Sequence, residues 1–240
     1  MTGVAINVGA NTSLPGVRGP IYPDGRFQYV PIPEREPIDE PAPTYADLDL
    51  PVEVPSEYCA RTVHLDPEFE GYPHCQAYTY GDEHAVKAGP LSALSAGDYA
   101  FFYATLSTHG DDPADWIAPG WGAYLIGHFR LGIDPVTPAE YDALNHADRE
   151  KFANNAHVKR ETFDARVLLW GDPGDSVLYD RAVPLSNPSS GGDPNRLVTD
   201  VSADSGKGPW WRRPLRFDAE GVEALLECHR TGEYGAWLER

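Results

Sequence analysis

The segment GDYAFFYATL, Gly97 to Leu106, decides how the rest of the chain is read. It is aromatic-rich, opened by a Gly-Asp pair, and apolar at odd and even positions alike. A strand half exposed to water would alternate; apolar residues on both faces imply a strand covered on both sides. AYLIGHFRLGI, Ala123 to Ile133, repeats the pattern, and TFDARVLLWGD, Thr162 to Asp172, supplies a third run bounded by Asp and Gly. Between the second and third, Thr137-Pro138-Ala139-Glu140 forms a capping box with proline at the first helical position. A helix is expected from there through PAEYDALNHADREKFANN, ending at Asn154 and Asn155. Strands without alternating βαβ units indicate an α+β fold with a largely antiparallel sheet and a few helices. A barrel-like, PUA-like closure of that sheet is one form the pattern allows.

Outward from this centre the chain divides without a linker, and a single domain over 1–240 is expected. Residues 1 to about 33 are rich in Gly and Pro, with Asp24-Gly25 a hairpin-turn signal between Ile21-Tyr22 and Phe27-Tyr29. Residues 34–57 combine prolines with carboxylates and read as an extended acidic surface segment, a candidate docking surface for a partner protein. Beyond about 181 comes a Ser/Gly/Asn-rich loop, then PWWRRPLRF. A last helix follows, with Asp218 as N-cap and Val222, Leu225 and Leu226 as its apolar stripe.

Asp and Glu number 37 against 19 Lys and Arg, a net charge of -18. The spread of acidity along the chain is that of a halophilic protein kept soluble in concentrated salt. It argues against wrapping a nucleic-acid duplex, whose phosphates demand a broad basic face. Cys59, Cys75 and Cys228 are too few and too scattered for a disulfide framework. No apolar run approaches the roughly 20 residues that span a bilayer, and no signal peptide is evident, so a cytoplasmic protein is expected.

Against this acidity the cations stand out. Lysine occurs only at 87, 151, 159 and 207, yet NNAHVKRETF gathers His157, Lys159 and Arg160 together. In an extended segment His157 and Lys159 would share a face and could meet one phosphate, with Arg160 pointing the other way to pair with Glu161 or Asp164; C-capping and local ion pairs are the plainer explanation. A second group, Lys207, Arg212, Arg213 and Arg216 around Trp210 and Trp211, could grip phosphate and stack bases, or be buried tryptophans rimmed by arginines. His64 and Asp66 of HLDPEF can couple as a histidine and its orienting carboxylate. Tyr78 and Tyr80 of AYTYGD share a strand face. His74 and Cys75 with His64 and Cys59 fit no zinc spacing, so no metal is expected from them, and the sequence names no cofactor. Phosphate-cradling, dinucleotide and nucleophile-elbow motifs are absent from the sequence.

Taken in order, NVGANTSLPGVRGPIYPDGRFQYVPIPE, HLDPEF with YTYGD, GDYAFFYATL, AYLIGHFRL and NNAHVKR resemble the family called nucleotide modification associated domain 3, over about residues 4–186. The resemblance implies association with systems that modify bases in DNA. On matching positions it points to Asp24 and Gly25, His64 and Asp66, Tyr80 and Asp82, and Asn155, His157, Lys159 and Arg160. One reading then has His157, Lys159 and Arg160 hold a phosphate in a small cationic pocket. Asn155 and Tyr80 meet a base, and His64 with Asp66 moves a proton, with His157 as a further catalytic candidate. The other is a non-catalytic PUA-like reader of modified bases, or an accessory module docking through 34–57. Convergence of His64, Asp66, Asn155 and His157 in one pocket separates the two.

Overall fold

A computed structural model describes residues 1–39, 41–204 and 207–238. Glu40 of the acidic segment and Gly206 ahead of Lys207 lie outside the described residues. The strands in chain order are β1 (Gly3–Asn7), β2 (Pro20–Ile21), β3 (Ile32–Pro33), β4 (Val63–His64), β5 (Thr79–Asp82), β6 (Tyr99–Thr108) and β7 (Trp121–Arg130). They continue with β8 (Val167–Trp170), β9 (Val177–Pro184), β10 (Ser186–Asn187), β11 (Ser190–Pro194), β12 (Ser202–Asp204) and β13 (Leu215–Phe217). Seven short α-helices lie among them in the described residues, so the fold is α+β.

The two ten-residue strands β6 and β7 form the centre of a seven-stranded sheet ordered β12-β13-β1-β6-β7-β9, with β2 paired to β6. Pairing is mostly antiparallel, but β1 and β2 run parallel to β6. Among the described residues the sheet ends in two edges, β12 and β9, so it is not a closed barrel. The apolar residues on both faces have their explanation in two cores. Val4, Ile6, Phe102, Leu106, Tyr124 and Ile126 face one of them. Ala5, Phe101, Tyr103, Ala123 and Leu125 face the other, with Val222, Leu225 and Cys228 of the helix Ala219–Thr231 packed against them. That helix begins as expected, the Asp218 carboxylate accepting from Gly221 N at 3.0 Å, though Leu226 is only half buried.

The long helix expected over 138–155 is broken. Its capping box at Thr137 and Glu140 forms, but the helix stops at Ala143 and a second runs only His146–Glu150. Leu144 is extended, and the Asn145 side chain accepts from Asp148 N to start the next turn. An asparagine competing for backbone donors restarts the helix instead of continuing it. The remaining residues 151–159 form tight turns, not an extended strand, so His157 and Lys159 do not share a face.

The acidic segment after Glu34 does not stand away from the body. Tyr45 and Leu48 are buried in the core, Tyr45 Oη donates to Pro31 O at 2.7 Å, and Ile38 bridges to Arg160. Among the described residues no helix is long and apolar enough to cross a membrane.

Candidate active site

The first core carries two small sheets, and these build the site. Antiparallel pairing of β3 with β4 sets Ile32 opposite His64, which brings Glu34 beside the histidine. Glu34 Oε2 and His64 Nδ1 are 2.6 Å apart. Two residues on, the Asp66 carboxylate is clamped by the backbone of β5, with Gly81 N donating to its oxygens at 3.0 and 3.1 Å. β5 pairs with β8, whose approach follows the turns bearing Asn155 and His157. Asn155 is fully buried and ties the pieces together. Its Nδ2 donates to Asp66 Oδ1 and Thr79 Oγ1, both at 3.1 Å, while its Oδ1 accepts from His157 N at 3.0 Å. Gly81 is required by the closeness of this packing, because a Cβ there would lie 2.6 Å from His157 Cδ2.

Residues 89 positions apart thus meet. His64, Asp66 and His157, each less than 7 % exposed, line one cleft of about 290 Å³ together with Tyr80, Asp82, Glu83, Lys87 and Asn11. That volume is near the lower edge of small-ligand sites, roughly 300 Å³. Tyr80 Oη donates to Asp82 Oδ2 at 2.6 Å, and burial together with Asp82 holds the phenol protonated far above its usual range. Lys87, on the helix Ala85–Leu91, donates to Asn7 O at 2.9 Å. Burial lowers its pKa despite the nearby Asp82.

Arg160 answers why a cation was kept in NNAHVKR. Its guanidinium meets Glu34 Oε1 at 2.8 Å and Glu83 Oε2 and Asp164 Oδ2 at 2.5 Å each. Burial works against its charge, but Glu34 and Glu83 more than offset this and hold it above the ordinary arginine value. Burial likewise pushes Glu34 up, yet His64 and Arg160 pull it well below the usual carboxylate range. For His157, burial alone would lower the pKa; Asp66 and then Asp164 outweigh it and raise the ring to about 9.

The cleft is therefore not the cationic pocket expected. Arg160 is committed to three carboxylates. Lys159 turns its amine to the Asn154 side chain, away from the cleft. Asp24 forms its hairpin turn but is exposed, bonded to Arg26 and outside the cleft. Trp210 is buried in the opposite core, donating Nε1 to Gly192 O, with Trp211 edge-on to it. Arg213 pairs with Asp204 at 2.6 Å, while Arg212 is exposed and contributes nothing to the cleft. That group is the rimmed tryptophan pair of the plainer reading. Asp164 pairs with Arg160, as the local reading allowed, whereas Glu34, Glu83 and Lys87 went unread as site residues in the sequence. The scarcity of lysine was a usable signal, but it pointed equally to 87 and 159.

A family model described as nucleotide modification associated domain 3 matches residues 2–227. The match extends past residue 186, where the sequence resemblance ended, and takes in the Trp-Arg segment and most of the last long helix. No curated protein and no solved structure matches the chain.

Proposed function

The chain belongs to the nucleotide modification associated domain 3 family, and from that membership and the cleft we propose that it binds a nucleotide or an unpaired nucleobase and presents it to His64, Asp66 and His157. The observation that carries this reading is the convergence of these residues with Tyr80 and Asp82 on one small cavity. Base edges offer paired donors and acceptors, and the cleft lining supplies both kinds in Asn11, Asp82 and Lys87. Lys87 inside the cleft and exposed Arg35 at its rim suit one phosphate group, not a run of them. A net charge of -18 disfavours a bound duplex, so a base reaches this cleft as a free nucleotide or flipped out of its strand.

Calorimetric titration with nucleoside monophosphates tests the reading. Asp82→Asn and Lys87→Ala should each weaken binding at least tenfold, and mass spectrometry of nucleosides from cells with and without the gene should reveal a modified nucleoside. Absence of binding by every monophosphate, together with identical nucleoside profiles, would overturn it.

A further inference from the structure

At the floor of the cleft three donor atoms face one another across a gap that hydrogen bonding does not fill. His64 Nε2 is 3.8 Å and His157 Nε2 is 3.5 Å from the same atom, Asp66 Oδ2. Good N–H···O bonds are roughly 2.7–3.2 Å, so both separations are too long. One ligand atom from each of the three residues lies within 4.8 Å of the others. An ion held at about 2.0–2.2 Å by such ligands sets them roughly 3–4 Å apart, which is the spacing the site nearly has.

The outer atoms of the same residues are already engaged. His64 Nδ1 is 2.6 Å from Glu34 and His157 Nδ1 is 2.8 Å from Asp164. A carboxylate on the far nitrogen favours the tautomer that turns an Nε2 lone pair inward, the usual support of a metal-bound histidine, although Arg160 Nη1 also lies 3.1 Å from His157 Nδ1. Asp66 Oδ1 accepts from Gly81 N and Asn155 Nδ2; Oδ2 shares the Gly81 N donor at 3.1 Å and is the oxygen that faces both histidine Nε2 atoms across the gap. We infer that His64, Asp66 and His157 form a binding site for one divalent first-row transition-metal ion, with its remaining positions open to the cleft.

Two imidazoles and one carboxylate suit iron, manganese, cobalt or zinc better than calcium or magnesium, which favour oxygen ligands throughout. A neighbouring set, Glu83, His157 and Asp164, is also close enough to hold an ion, but Arg160 Nη1 already sits on both of its carboxylates. His64, Asp66 and His157 stood out individually in the sequence, but a ligand set split between HLD and a distant turn matches no short zinc spacing.

Untagged protein, stripped with chelator and titrated with cobalt(II), tests the site through visible absorption and metal content after dialysis. One equivalent should bind. His64→Ala, His157→Ala and Asp66→Asn should each weaken binding at least about 100-fold, and Glu34→Gln about 10- to 100-fold. Circular dichroism identifies any variant that fails to fold, and the wild-type stoichiometry then decides alone. No saturable uptake by the wild type, or affinity indifferent to both folded histidine variants, overturns the site. No nucleotide enters the measurement, so the metal site and the nucleotide reading stand or fall separately.

Discussion

Replacing Arg160 by methionine removes a guanidinium that is 6 % exposed and leaves Glu34, 4 % exposed, without its permanently charged partner. Breaking one side of a buried pair costs about 3–5 kcal/mol, because the remaining charge is stranded. The contacts to Glu83 and Asp164 involve carboxylates about a third exposed and add at most about 1 kcal/mol each. For a chain of this size about 1 kcal/mol shifts Tm by roughly 2–4 °C, so Arg160→Met should melt about 10–15 °C lower. Adding Glu34→Gln removes the stranded charge while Gln can still accept from His64, so the double variant should melt above Arg160→Met alone. In a double-mutant cycle the coupling should exceed about 1 kcal/mol. The loss should persist in ~1 M salt, where exposed pairs are screened away but buried ones are not. A fall below about 3 °C, or simple additivity, would refute the view that Arg160 is there to balance the chain's own buried carboxylates.

Three further outcomes follow from particular contacts. His128 bonds Tyr179 at 2.8 Å, and burial together with His229 lowers its pKa to about 4. The unfolded chain therefore takes up the proton first; stability should be full above about pH 6.5 and fall by about 3 kcal/mol as pH drops towards 4, and His128→Gln should flatten that limb in urea titrations. Gly81→Ala would force a Cβ against the His157 ring, costing about 1–3 kcal/mol in denaturant unfolding and weakening cobalt uptake by displacing a ligand. Lys159→Ala should leave monophosphate affinity within twofold by calorimetry, because its amine lies outside the cleft; a tenfold loss would restore it as a phosphate ligand.

Where the sequence was legible, one local pattern corresponded to one physical cause. GDYAFFYATL reads as a doubly covered strand because its odd and even residues enter different cores. Thr137 and Glu140 read as a helix start because both partners of the capping box lie within four residues. The same reasoning failed at Leu144-Asn145, where a short polar side chain offered the backbone an alternative that helical periodicity does not register. At the site, HLD and NNAHVKR were singled out, but their distant partners were not. Glu34 reaches Arg160 across 126 positions and Glu83 reaches it across 77. An ion pair so distant leaves no periodic trace. Local reading could find the cation in NNAHVKR and its near partner Asp164, but not the distant Glu34 and Glu83 that also claim it.

The charge of the cleft links the two proposals without making either depend on the other. Glu34, Asp66, Asp82, Glu83 and Asp164 gather around it, against Arg160, Lys87 and, at the rim, Arg35. Three of those carboxylates are less than 8 % exposed. Buried charge of one sign is costly unless paired, and a proton on His157 offsets only part of the excess. A nucleotide would bring more negative charge to the same place. A divalent ion between His64, Asp66 and His157 would offset that excess at the point where a phosphate or base oxygen would enter. The acid-rich wall that argues against simple phosphate capture is then what a metal-assisted site needs.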